Sequence, residues 1–394
     1  MRLLTVVGAR PNFMKAAPLI AAIRAHNLKA SDPIGHILVH TGQHYDDVMS
    51  GAFFADLGLP APDVHLGVGS ASHAAQTGEI MRKFEGVLSD TRPDVVVVVG
   101  DVNSTLACAL VAAKMSWDTD GGRPLVAHVE AGLRSFDRSM PEEVNRIVTD
   151  HVADLLFVTE PSGVENLHNE GIPADRIHFA GNTMIDSLLA FEARADASAI
   201  LERLGLRSDP GQSPERYALL TLHRPANVDH RQTFAGIVSG LEELAAECPI
   251  VFPVHPRTQR RLESDALGST LVTSGLRLTS PLGYLDFLCL MKHAWIVVTD
   301  SGGIQEETSC LGVPCVTVRQ NTERPVTVTR GTNVIAGTQP ERIKAAIRGQ
   351  TRRRFSREMP DKWDGRAAGR ILDVIVRTHA GRSRSTPAVS AMCG

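Results

Sequence analysis

Short runs rich in Val, Ile and Leu recur along the chain, each followed by a longer stretch with helical spacing. In the first half they are residues 3–7, 37–39, 95–99, 125–127 and 155–158; in the second, 218–222, 250–254, 296–298 and 315–318. Runs apolar on both faces and separated by helices predict parallel strands covered on both sides. Two successive sets predict an α/β chain of two Rossmann-like, doubly wound domains. The alternation pauses around 171–182, so the N-terminal domain is placed at 1–180 and the C-terminal one at 181–360. A last helical pattern, about 361–379, is expected to pack back onto the first domain. The Ser/Arg/Ala-rich tail 380–394 is expected to be poorly ordered.

Composition mainly excludes. A chain of 394 residues can bury two sizeable cores, and 43 % hydrophobic with 22 % charged residues is ordinary for a globular protein. Forty-one basic against 44 acidic residues leave a formal charge of −3, which argues against nucleic acid as a partner. The run Arg352-Arg353-Arg354 reads as a solvated segment near a linker. Six cysteines without a Cys-x-x-Cys pair read as reduced core residues of a cytoplasmic protein, with no zinc site. The N-terminus reads as a first strand rather than a signal peptide, and no apolar run is long enough to cross a membrane.

The candidate chemistry sits where apolar runs end, the edge at which open α/β sheets bind ligands. Gly8-Ala-Arg10-Pro-Asn-Phe-Met-Lys15 leaves the first run with two cations suited to a diphosphate, although a strand–Gly–helix turn alone is common. Thr41-Gly-Gln-His44 follows the second run and reads equally well as a turn. Asp101 follows five valines; it could cap the next helix, but Asn103 or Ser104 can do so instead. The stretch 128–146 carries Glu130, Asp137, Glu142 and Glu143 beside Arg134, Arg138 and Arg146. His223-Arg224 and His255-Pro-Arg257 end two successive runs of the second half. Asp300-Ser301-Gly302-Gly303-Ile-Gln-Glu-Glu307 is the clearest phosphate signal, because its glycines let backbone N–H groups approach an anion at a helix start. A plain helix cap by Ser301 would not need both glycines.

Together these segments, with Pro141-Glu-Glu-Val-Asn-Arg146 and Thr322-Glu-Arg324-Pro, resemble the non-hydrolysing UDP-N-acetylglucosamine 2-epimerases over essentially residues 1–376. The resemblance implies a GT-B architecture with the active site in the interdomain cleft, a homodimer, and a UDP-amino sugar substrate. It implies a reaction needing no cofactor or metal, in which UDP leaves C1 as the C2 proton is lost and then re-adds, inverting C2. Asp101, Glu130 and Glu142 become the candidate proton-transfer groups, with His223 assisting near the leaving group. Arg10, Lys15, Ser301, Gly302, Gly303 and Arg324 are assigned to the diphosphate, Phe287 to the uracil, Glu307 to the ribose, and Leu282 to substrate binding without a named contact. His44, Arg134, Arg224 and His255 complete the candidate binding residues. Arg134 and Arg146 are also expected to support the acids, leaving Asp137 and Glu143 at surface or capping positions.

The chain departs from the family in places. Ala9-Arg-Pro-Asn12 stands where many members have Thr-Arg-Pro-Glu. Members regulated by a second UDP-N-acetylglucosamine have a Gln at Asp46 and an Arg within 67–76, a segment that has none here. The alternatives are a 2-epimerase of UDP-2,3-diacetamido-2,3-dideoxy-glucuronic acid, a GT-B glycosyltransferase, and a catalytically silent nucleotide-sugar sensor.

Overall fold

A computed structural model describes residues 1–43, 54, 56–117, 122–209, 211–254 and 275–385, and in it every apolar run named above is a strand. The first sheet contains β1 (Arg2–Val7), β2 (Gly35–His40), β3 (Val64–His65), β4 (Val95–Val99), β5 (Leu125–Ala131), β6 (Leu155–Val158) and β7 (Ile177–Phe179). Its order is β3-β2-β1-β4-β5-β6-β7, and every pairing is parallel. The second contains β8 (Ala218–Thr221), β9 (Ile250–Pro253), β10 (Leu276–Thr279), β11 (Ile296–Thr299), β12 (Cys315–Thr317) and β13 (Asn333–Ile335), ordered β10-β9-β8-β11-β12-β13 and again all parallel. Both sheets are Rossmann-like and doubly wound, the pair of which a GT-B architecture consists.

Four strands, β3, β7, β10 and β13, are not visible as apolar runs. Each closes an edge of its sheet and is only partly buried, so selection for a continuous apolar run is relaxed there. The central strands show the opposite. In β4, Val95, Val97 and Val99 join a core with Leu19, Ile23, Ile371 and Ile375, while Val96 and Val98 join another with Ile80, Phe84 and Cys108. One pentavaline strand is therefore buried on both faces.

The helices used below are α1 (Arg10–Asn27), α2 (His73–Thr91), α3 (Asn103–Lys114), α4 (Pro141–Val152), α5 (Pro161–Asn169), α6 (Thr183–Asp196), α7 (Pro225–Val228), α8 (Tyr284–His293), α9 (Gly302–Leu311) and α10 (Ala367–Ser385). Met1–Ser50, Gly58–Asp186 and Asp364–Gly394 form one compact unit, and Gly51–Leu57 with Ser187–Trp363 form the other. The changeover lies inside α6 rather than at residue 180. Helix α10 starts at Ala367, later than the 361 read from sequence, and continues to Ser385, so residues 380–385 are helical rather than an unstructured tail. Asp186 caps it by accepting from the Ala367 and Ala368 N–H groups at 3.2 and 2.8 Å. Five cysteines are buried and free; Cys393 lies outside the described residues. Among the described residues no helix is long and apolar enough to cross a membrane.

Candidate active site

In each sheet the strand order reverses between two central strands, β1 and β4 in the first and β8 and β11 in the second. The carboxyl ends of such strands are where doubly wound folds bind ligands. The candidate residues of each unit gather there.

In the first unit the turn after β1 is held by Asn12. Its Oδ1 accepts from the Gly8 and Ala9 N–H groups at 3.1 Å each, and its Nδ2 donates to the Val99 carbonyl at 2.9 Å. A Glu here could accept but not donate, so Asn12 adds a tie to β4. A Cβ on Gly8 would lie 2.3 Å from Ser104 Oγ, which leaves room only for glycine. Arg10, the first residue of α1, is half-buried. Lys15 is buried, with Nζ 2.6 Å from Glu130 Oε1. The ammonium is the partner of a carboxylate on β5, a contact that the sequence does not announce.

Strand β5 runs four residues beyond its apolar stretch, and its register with β6 shifts between Val129 and Ala131. The shift is a bulge centred on Glu130, whose φ of +75° is in the left-handed region. Such a conformation costs a non-glycine residue about 1–3 kcal/mol, and outliers of this kind concentrate at functional sites. Gly132 follows with φ +81°, and a Cβ on it would lie 2.4 Å from the Gly163 carbonyl oxygen of α5. Gly132→Ala is expected to cost about 3 kcal/mol of stability through strain and backbone overlap. Urea unfolding measures this, and a loss below about 1 kcal/mol would contradict it.

Asp101 follows Gly100 at the end of β4, and its carboxylate pairs with Arg146 of α4. The expected cap of α3 by Asn103 or Ser104 is not made, since the N-cap is Val102 with no side-chain bond. Asn103 instead donates to Gln76 of α2 at 2.8 Å, and Ser104 donates to Gln43 at 2.6 Å. Arg146 also holds Glu143 at 2.6 Å. Glu143 is 1 % exposed and accepts from the Ser135 and Phe136 N–H groups, so it is a buried clamp on the 134–139 loop rather than a surface residue. Burial raises its carboxyl, but those N–H groups and Arg146 bring it below the usual value. Asp137 does fill a turn position, accepting from Ser139 N and Oγ. Glu142, half-buried in the first turn of α4, makes no hydrogen bond or ion pair among the described residues.

Arg134, expected both to bind and to support, is tied to two carboxylates of its own unit. Its guanidinium is buried, with Nε and Nη2 on Glu170 at 2.7 Å each and Nη1 2.7 Å from Asp150. A guanidinium so committed holds the fold.

In the second unit Asp300 organises the switch point. Fully buried, it accepts from the His223 and Arg224 N–H groups and from Asn227 Nδ2 of α7 at 3.0–3.2 Å, with His223 Nδ1 at 2.8 Å. Burial raises the Asp300 carboxyl, yet His223 and the surrounding donors bring it below its ordinary value. Desolvation lowers the His223 ring, and Asp300 more than reverses this, raising it overall. The ring side chain is 58 % exposed, so its far nitrogen remains available.

Ser301 begins α9 without capping it; its N–H donates to Thr299 Oγ1 at 2.9 Å. A Cβ on Gly302 would lie 2.3 Å from Arg324 Nη1, so this glycine lets the guanidinium lie against the start of α9. Arg324 Nε is 3.0 Å from Glu306 Oε1. Arg319 grips Glu323 with both terminal nitrogens at 2.9 and 2.5 Å, and Arg224 Nη2 is 3.5 Å away. Burial opposes the ionised form of Glu323, but the arginines hold it well below the usual range. Arg324 thus lies against the first turn of α9, a setting for an anion at that helix start.

Glu307 is buried and accepts from the Tyr284 hydroxyl at 3.2 Å. Burial pushes its carboxyl up to about 8, partly offset by the Tyr284 bond. Between the ordinary carboxyl value and about 8 the folded chain keeps a proton that the unfolded chain has released. Stability attributable to this group therefore falls as pH rises through that window. Thermal melts at pH 5 and pH 8 should show a smaller difference in Glu307→Gln than in the parent; an unchanged difference would refute the assignment. Phe287 of α8 and Leu282, two residues before α8, are half-buried. His44 and His255 lie outside the described residues. Among the described residues no group of three His, Cys, Asp or Glu side chains could hold a metal ion.

Sequence reasoning missed Asp300 as an organiser, although Asp-Ser-Gly-Gly after an apolar run marks it. It also missed Asp150, Arg319, Glu323 and Tyr284, which act on other side chains and leave no local signature.

Comparison with known proteins places these features in context. A family model described as UDP-N-acetylglucosamine 2-epimerase matches residues 26–376. A UDP-N-acetylglucosamine 2-epimerase of Methanocaldococcus jannaschii is 42 % identical over 354 residues, covering 88 % of this chain and 91 % of the relative. A UDP-2,3-diacetamido-2,3-dideoxy-D-glucuronate 2-epimerase of Pseudomonas aeruginosa is 38 % identical over 380 residues, covering 96 % and 100 %. A crystal structure of the Methanocaldococcus jannaschii UDP-GlcNAc 2-epimerase with UDP-GlcNAc and UDP superposes with a TM-score of 0.85 at 39 % identity, covering 96 % of this chain and 100 % of that one.

Proposed function

The chain belongs to the UDP-N-acetylglucosamine 2-epimerase family, and on that premise we propose that it interconverts UDP-N-acetylglucosamine and UDP-N-acetylmannosamine by inverting C2. The family match over residues 26–376 carries the reading. A C2 hydrogen beside an acetamido group is barely acidic, so departure of UDP from C1 must drive its removal. A carboxylate takes the C2 proton as the C1–O bond breaks, leaving 2-acetamidoglucal and UDP. Re-addition of UDP at C1, with protonation of C2 from the opposite face, gives the epimer; one proton is lost and one regained.

Glu130, Asp101 and Glu142 are the proton-transfer candidates, since inversion needs a group for each face. The free carboxylate of Glu142 supports its candidacy. Lys15 beside Glu130 and Arg146 beside Asp101 can absorb the change in charge as a proton arrives or leaves. The N–H groups of Gly302 and Gly303, with the Ser301 hydroxyl and Arg324, stabilise charge developing on the departing diphosphate. Arg10 and Arg224 assist, and His223 carries a proton or charge at the leaving group. Glu307 takes the ribose hydroxyls, while Phe287 and Leu282 flank the uracil. The reading extends to a homodimer acting in the cytoplasm, testable for assembly by sedimentation equilibrium.

A second substrate, UDP-2,3-diacetamido-2,3-dideoxy-glucuronic acid, is favoured by the 38 % identity to the Pseudomonas aeruginosa relative. One assay separates the two. Enzyme incubated in heavy water with either nucleotide sugar, without any acceptor, should place deuterium at C2 of its own substrate, read by NMR. Exchange only in the diacetamido sugar would transfer the assignment to it. Exchange in neither, with turnover only when an acceptor is added, would replace epimerisation by glycosyl transfer.

A further inference from the structure

His128 opens the 128–146 stretch, yet the reaction above gives it no part. Its ring is fully buried, with Nε2 2.7 Å from the Gly100 carbonyl oxygen and Nδ1 2.6 Å from Asp150 Oδ1. A carbonyl can only accept a hydrogen bond, and so can a carboxylate. Burial raises the Asp150 carboxyl, but His128 and Arg134 bring it below its ordinary value, so it is an acceptor. Both ring nitrogens therefore face acceptors. Four charged groups lie around it. Asp150 of α4 touches it, Arg134 with Glu170 stands behind Asp150, and Lys15 of α1 lies on the far side of Gly100.

One bond of the ring ends at the carbonyl before Asp101, and the other at Asp150, which in turn reaches the segment of Glu130. The Gly100 carbonyl belongs to the peptide that leads into Asp101, and the Gly100 N–H donates to the Val129 carbonyl at 2.9 Å, so β5 holds Gly100 through both of its backbone groups. Asp150 Oδ2 accepts from the Gly132 N–H at 3.1 Å, two residues after Glu130. The link therefore runs from the peptide before Asp101, through the ring and Asp150, to the far side of the Glu130 bulge. We propose that His128 is a positioning residue which, as an imidazolium paired with Asp150, fixes the Gly100–Asp101 peptide and the Glu130 bulge relative to each other.

This inference rests on the proposed C2 chemistry, and its test separates the two. Two-bond proton–nitrogen spectra of histidine-labelled protein, with His128 assigned by its absence in His128→Gln, should show protons on both ring nitrogens at neutral pH. An unprotonated Nε2 would overturn the proposal whatever the activity. In the exchange assay His128→Gln, whose donors sit on a single nitrogen and cannot span both partners, should lose about 10²-fold in kcat. KM and UDP affinity should stay within a few-fold. If His128→Gln does not fold, Asp150→Asn takes its place, since it keeps the shape and removes the counter-charge. Full kcat in a folded variant with a lowered melting temperature would make the pair merely structural and overturn the proposal. An inactive parent protein would instead count against epimerisation and leave the nitrogen spectra to decide on the ring.

Discussion

Glu130→Gln is expected to abolish deuterium exchange at C2, by about 10³-fold or more, while leaving UDP affinity within a few-fold. General acid–base groups contribute about 10²–10⁴-fold to rates, and glutamine keeps the shape of the side chain while losing its proton affinity. The bulge at Glu130 is held by backbone elements, so its left-handed φ should survive the change. What does not survive is the charge balance. Lys15 Nζ lies 2.6 Å from Glu130 Oε1 with both side chains at most 5 % exposed. Removing one partner of such a pair leaves an uncompensated buried charge and costs about 3–5 kcal/mol. Loss of activity through unfolding is therefore a real competitor. Glu130→Gln combined with Lys15→Met removes both charges and should recover most of the stability without recovering exchange. Recovery of exchange in the double variant, or full activity in the single one, would end the assignment of Glu130 as a proton carrier.

That pair also marks the boundary of what is legible in sequence. The interior strands are legible because burial on both faces forces continuous apolar runs, as in Val95–Val99. The edge strands β3, β7, β10 and β13 are not, because solvent on one side removes that requirement. Candidate residues at strand ends are legible as positions, and Asp101, Glu130, His223 and Ser301 do lie at carboxyl ends of central strands. Their partners are another matter. Lys15 reads as a phosphate ligand because a cation after a Gly turn usually faces the ligand edge; its partner is 115 residues away. The partners of Arg134 and the burial of Glu143 are hidden for the same reason, since a long side chain turns toward whichever opposite charge the tertiary fold offers. The bulge at Glu130 could not be read either. A positive φ shows in sequence when glycine supplies it, and here a glutamate is held there by the register shift between β5 and β6.

Asp300→Ala is expected to give the largest combined loss, in stability and in nucleotide-sugar binding together. The carboxylate, which has no exposed surface, accepts from two backbone N–H groups, one amide and one imidazole. A buried donor left unsatisfied costs about 1–3 kcal/mol. Losing several at once should therefore remove about 3 kcal/mol or more in urea unfolding, and with it the turn that carries His223 and Arg224. Asp300→Asn separates charge from shape. It still accepts from the backbone N–H groups, but it no longer raises the His223 ring against the desolvation that lowers it. Protonated His223 is then lost at lower pH than in the parent. A limb of the kcat profile that belongs to this ring must consequently move to lower pH in Asp300→Asn, with the fold intact by melting. A limb that stays in place in that variant would show that His223 does not titrate in turnover, and would return it to a binding role.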